Sequence, residues 1–227
     1  MRAALGIRPL LPALLDPSPD KRRAAATALG LSGDESAIGH LKPLLADPDG
    51  RVAAAAVTAL QNLGAREACP EIERLCNHPD TVLAVTAIGA LAALGSRALP
   101  RLACERLRLE AERNADAARR ILAELHGVRS SEVGEVATRL LSHPSYEVRL
   151  EAALRAAEAD KVEALPVLAL LLYEPSALVR DSAQCGCAAL APLHAFSWAT
   201  CLYFATSVVI YIAWRDVGGH LYFQGLG

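Results

Sequence analysis

Aromatic side chains are scarce: the 227 residues contain ten, and eight of these lie between Phe196 and Phe223. Only Tyr146 and Tyr173 precede them, too few to build a surface on which nucleic acid bases stack. Lysine is scarcer still, with 3 against 20 arginines, an imbalance that reads as codon bias. The formal net charge of -2 leaves no concentrated basic face for a phosphate backbone, so no nucleic acid partner is expected. Six cysteines occur without a single CxxC pair, which points to buried thiols in a reducing compartment rather than a disulfide framework. Neither Cys76 with His78 nor Cys185 with Cys187 offers four metal ligands at a usual spacing. No Ser/His/Asp set and no glycine-rich phosphate loop can be assembled, so no catalytic residue, metal or cofactor is expected. Residues 1–15 carry no secretory signal, because Pro9 and Pro12 interrupt the apolar run and no small-residue cleavage site follows.

What the chain does have is a period. Asp16-Pro17, Asp47-Pro48 and His78-Pro79 recur every 31 residues, as do Leu29, Leu60, Leu91 and Leu122, and Gly33, Gly64 and Gly95. A repeat of this length signals a solenoid. Each unit reads as two helices. In the second unit Ile38, Leu41, Leu44 and Leu45 form a helical stripe that ends at Asp47, Pro48 presets the turn, and Gly64 terminates the helix that follows. A lone pair of this kind cannot bury its apolar face, so the copies must stack.

The Asp-Pro turn, the Val-Arg pairs Val148-Arg149 and Val179-Arg180, and the Ala-rich second helix resemble the HEAT repeats, in particular the short repeats of phycobilisome lyases. The resemblance covers about Ile7 to Leu190 and implies an all-α, right-handed α-solenoid of about six helix pairs. It also implies that the second helices line a concave face. Units two and three are unusual there: Arg149 and Arg180 of later units align with Ala53 and Ala84, and Thr81 to Leu94 contains no charge at all. An uncharged helix is either buried on every side or presents an apolar interface. On the second reading Ala53, Ala55, Ala56, Ala84, Val85 and Thr86 form the candidate surface for a protein partner.

The remaining charged and polar motifs read as structure. Lys21-Arg22-Arg23 is taken as a solvated helix face, and the charge-dense stretch from Arg101 to Arg120, with Glu105, Glu110 and Glu112, as an outer surface. His78 and His143 stand where aspartate opens other turns and are expected to serve the turn rather than catalysis.

After Asp181 the composition changes. No charged residue occurs from Ser182 to Trp214, and residues 196–214 make a 19-residue apolar segment, long enough for a helix to cross the hydrocarbon core. Seven strongly apolar residues supply roughly -2 to -4 kcal/mol of insertion free energy before the Ser and Thr residues subtract some. The residues assigned to the membrane are Phe196, Trp198, Tyr203, Phe204, Ile210, Tyr211 and Trp214, with Trp198, Tyr211 and Trp214 near the ends where amphipathic rings favour the headgroup level. The expected organisation is therefore a solenoid over 1–190, a linker over 191–195, a single membrane-spanning helix over 196–214 and a short tail over 215–227. This is a tail anchor with its repeats on the cytoplasmic side.

The expected function is a non-catalytic, membrane-anchored scaffold or accessory subunit of a membrane complex. The resemblance to phycobilisome lyases keeps open an alternative, a lyase-like or chaperone-like factor handling a chromophore or an assembly client. A solenoid like that of the alkylpurine glycosylases would need a basic, aromatic cleft, which this composition does not supply.

Overall fold

A computed structural model describes residues 7–159 together with Lys161, Ala164, Val167 and Leu168, and all regular structure among them is helical. The chain divides into units 1–136 and 137–227. In the first, 3-10 turns over Arg8–Leu10 and Pro12–Leu15 lead to α1 (Pro19–Ser32). Then follow α2 (Ile38–Leu41), α3 (Gly50–Asn62), α4 (Cys69–Leu75), α5 (Thr81–Leu94), α6 (Leu99–Glu110), α7 (Ala115–Glu124) and α8 (Ser131–Arg139), which crosses the division. The second unit holds α9 (Tyr146–Glu158), whose Ala153, Ala156 and Ala157 bury with Ala137, Ala164 and Leu168.

The period written in the sequence is the period of the fold. α1, α3, α5 and α7 pack in series, each against the next, while α4 and α6 lie on the other side of α5. Leu29, Leu60, Leu91 and Leu122 are all fully buried along that row. Gly33, Gly64, Gly95 and Gly127 end the four helices with φ of 67 to 75°, a left-handed conformation that a Cβ disfavours. The first helices of the first two repeats are broken instead of continuous. Proline donates no backbone N–H, so Pro9, Pro12 and Pro43 convert parts of them to 3-10 turns, leaving only four α-helical residues in α2.

The turns between first and second helices share one device. Asp16 and Asp47 each accept the backbone N–H two residues on, from Ser18 and Asp49, at 2.9 Å. His78 and His143 do the same through Nδ1, accepting from Asp80 at 3.1 Å and Ser145 at 3.0 Å. The histidines thus fill the aspartate role expected of them. Asp49 and Asp80 then cap α3 and α5, and Asn114 caps α7.

Arginine completes the turns, and here two sequence expectations fail. Arg22 is not a solvated residue: its side chain forks onto Asp47 at 2.7 and 2.8 Å and donates to the carbonyls of Asp16 and Pro17. Arg149, likewise six residues after its turn, donates to the carbonyls of His143 and Pro144. The position six after His78 is Ala84, so that guanidinium is missing, and Arg106 of α6 reaches in to donate to the His78 carbonyl at 2.8 Å. Arg106 pairs with Glu110, both buried, and Thr81 bridges them. Glu110 is therefore part of a buried clasp and not of an outer surface.

Several of these carboxylates are held below their ordinary range. The Arg51 side chain and then its N–H bring Asp49 to about 2; Arg22 lowers Asp47; the Ser18 N–H and Lys21 lower Asp16; and Ser36 lowers Asp34. A carboxylate whose folded value is depressed adds stability that is fully present above the unfolded value of 3.8 and is lost as pH falls through the folded one. The urea midpoint should accordingly drop between pH 4.5 and 2.5, and drop less in Asp49→Asn. An unchanged slope in that variant would remove Asp49 from the account.

Most of the sixth repeat, the linker, the segment over 196–214 and the tail lie outside the described residues, as do Cys185, Cys187 and Cys201. Among the described residues no helix is long and apolar enough to cross a membrane.

Candidate functional site

The outward faces of α1, α3 and α5 form a groove of about 750 Å³. Its walls come from equivalent positions on successive repeats: Ala24, Thr27, Ala28 and Leu31 on α1, Ala54, Ala55 and Thr58 on α3, and Val82 and Thr86 on α5. The three threonine hydroxyls each donate to the carbonyl four residues back, at 2.8 to 3.0 Å, which satisfies them within their own helices and leaves the lining dominated by carbon. Arg23, Arg51 and Asp80 also line the groove, the last two where α3 and α5 begin. Arg51 is paired with Asp49 and lies within 4 Å of Asp20, which also meets Arg23.

On α5 the next groove position after Thr86 is Gly89. A Cβ there would come within 3.3 Å of the Glu124 carboxylate, so this α7 side chain lies over α5 beside the groove.

The six residues expected to form the partner surface divide sharply. Ala55 and Thr86 line the groove. Ala53, Ala56, Ala84 and Val85 are at most 4% exposed and belong to the core. The reason is angular. With 3.6 residues per turn, Val52, Ala53, Ala56, Val57, Ala59 and Leu60 sweep the faces of α3 that meet α1, α5 and the first-helix layer, leaving only a narrow strip through Arg51, Ala54, Ala55 and Thr58. Helix α5 is uncharged chiefly because α3, α4, α6 and α7 surround it. The α1 wall carries none of the charge deviations that set units two and three apart. Its signal was present in the repeat itself, since Ala24 and Thr27 align with Ala55 and Thr58.

Little else gathers reactive groups. Burial raises the Cys76 and Cys104 thiols to about 12, which keeps both protonated, and Cys69 is raised in the same way. Among the described residues no three His, Cys, Asp or Glu side chains converge to hold a metal. Glu105 meets Arg101 on the surface of α6, and Glu112 is exposed. A smaller notch of about 360 Å³ lies between the second and third repeats, lined by Lys42, Asp47, Glu71, Arg74 and His78 among others.

A family model described as HEAT repeats matches residues 7–92 and 40–108, so this part of the chain is similar to HEAT repeats. Solved structures share the fold at low identity. The complex of CpcE and CpcF of phycocyanin lyase from Nostoc sp. PCC7120 is 18% identical with a TM-score of 0.63, over 83% of this chain and 78% of that one. A designed armadillo repeat protein is 18% identical with a TM-score of 0.56, over 82% and 100%. An engineered protein is 22% identical with a TM-score of 0.56, over 81% and 96%. At such identities the likeness is one of fold, a helical repeat array. No curated protein matches the chain.

Proposed function

We propose that this chain is a non-catalytic, membrane-anchored scaffold or accessory subunit that holds a protein partner in the groove of α1, α3 and α5. The observation that carries this reading is the lining. Small and apolar side chains from three repeats form one surface, their threonine hydroxyls are already satisfied, and its ionisable lining residues are Arg23, Arg51 and Asp80. Such a surface suits close packing against another chain and offers no group placed to move a proton or attack a bond. The anchor rests on the sequence of residues 196–214, on their length and lack of charge. Tethering of this kind works by concentration: a partner confined to the same membrane meets the groove at a raised effective concentration, so a weak contact suffices.

The test compares the full chain, a version ending at Leu190 and the full chain with Ala55→Glu, by membrane fractionation and gentle-detergent pull-down. The full chain should sediment with membranes and retain membrane proteins, the shortened chain should stay in the supernatant, and Ala55→Glu should sediment yet lose the partner. Equal solubility of the full and shortened chains would end the anchor reading. A partner retained by Ala55→Glu would move the interface off the groove, and a pigment carried by the purified chain would favour the chromophore-handling alternative.

A further inference from the structure

We propose that the turn between α4 and α5 is a pH-sensitive latch, closed by neutral His78 and released when its imidazole takes a proton. Four turns of the fold use the same bond, a side-chain acceptor at the first position receiving the backbone N–H two residues on. At Asp16 and Asp47 the acceptor is a carboxylate, which keeps its charge and its lone pairs from neutral pH down to about pH 4. At His78 it is Nδ1 of an imidazole, 3.1 Å from the Asp80 nitrogen. An imidazole accepts through Nδ1 only when its proton sits on Nε2. A second proton turns the acceptor into a donor aimed at another donor, and the bond is lost.

Whatever partner the imidazolium takes, its Nδ1–H can no longer accept from the Asp80 amide, and most groups around the turn are already engaged. On α6, Arg106 donates to the His78 carbonyl and already brings one positive charge to the turn, while Glu110 is committed to Arg106 and Thr81. In the notch, Asp47 is forked by Arg22, while Glu71 faces Lys42 at 3.5 Å through Oε1 and keeps an unpartnered Oε2. Arg74 adds a further cation to its lining. That leaves Glu71 across the notch and Asp80 within the turn, whose Oδ1 accepts the N–H groups of Val82 and Leu83 at the start of α5. Asp80 drawn toward the imidazolium would disturb that cap, and an imidazolium turned to Glu71 would leave the turn, so either response opens the bond that precedes α5.

The latch belongs to the turn and is independent of what occupies the groove. It does have a consequence there, because Asp80 and Val82 line the groove's third wall. Lowering the pH would loosen that wall and leave the α3 wall, which follows the aspartate turn at Asp47, in place.

The test is nuclear magnetic resonance of the ¹⁵N-labelled full chain in detergent micelles between pH 7.5 and 5.0. At pH 7.5 the His78 ring should show the Nε2–H tautomer. On protonation, the protection of the Asp80 amide, corrected for its intrinsic exchange rate, should fall about fivefold, the loss expected of one net hydrogen bond. The Asp49 amide, held by the Asp47 carboxylate, should keep its protection. In His78→Asp the Asp80 amide should behave as that of Asp49. An Nδ1–H tautomer at pH 7.5, unchanged Asp80 protection, or an equal fall at Asp49 would each overturn the latch.

Discussion

Ala56→Glu is expected to abolish cooperative unfolding of the first unit, whereas Ala55→Glu, one residue earlier, leaves the thermal midpoint within a few degrees of the parent. The two positions differ by 100° around α3. Ala56 is fully buried in the same stripe as Val52 and Leu60, on a helix packed against α1, α2 and α5. A carboxylate placed there meets no cation, and an unpaired buried charge costs several kcal/mol. Its extra side-chain atoms add about 1–3 kcal/mol of overpacking. Against a total stability of about 5–15 kcal/mol, one such change removes most or all of the margin. Ala55 instead borders the groove, where a glutamate extends into solvent and costs little by itself. Circular dichroism melts of the two variants test the assignment of faces. A parent-like melt for Ala56→Glu would mean that the stripe is not core.

Gly30→Ala should lower the midpoint by several degrees, against the usual direction of that exchange inside a helix. Alanine ordinarily gains about 1 kcal/mol over glycine there. In α1, however, a Cβ at position 30 would stand 2.5 Å from the Cα and 2.7 Å from the Cβ of Ala59 on α3. The nearer atom is main chain and cannot rotate away, so the two helices must separate along one of the closest contacts of the array. Overpacking costs about 1–3 kcal/mol, and with a main-chain obstacle the upper end applies, giving a net loss of about 2 kcal/mol. Adding Ala59→Gly removes only the Cβ contact and should rescue little. A raised midpoint for Gly30→Ala alone would show that α1 shifts freely against α3 and that its packing does not hold the first repeat in place.

The repeat array was legible because its grammar is local. A proline that ends one helix, an aspartate or histidine that closes the turn, and a glycine that stops the next helix act through bonds within a few residues, so a 31-residue period in letters becomes a 31-residue period in space. The turn role of the histidines followed from the same alignment. The candidate surface was only partly legible. Charge could be counted along α3 and α5, but an alanine on the groove and an alanine in the core are the same letter, and neighbouring helices decide which is which. Ala55 and Thr86 fell on one side of that division, and Ala53, Ala56, Ala84 and Val85 on the other.

The arginines mark the limit most clearly. Arg106 and Glu110 sit on the buried stripe of α6 with Leu102, Ala103 and Leu107, so periodicity held a sign of their burial. No local rule could say that Arg106 crosses to the His78 carbonyl, because that contact exists only once α6 is stacked against the preceding repeat. From the sequence alone came the helix pairs, their turns and glycine stops, their period and the uncharged segment near the C-terminus, all set by backbone chemistry and composition over short distances. Which alanines face the groove, and which guanidinium serves which turn, was decided by tertiary packing, since both depend on side chains about thirty residues apart meeting across neighbouring repeats.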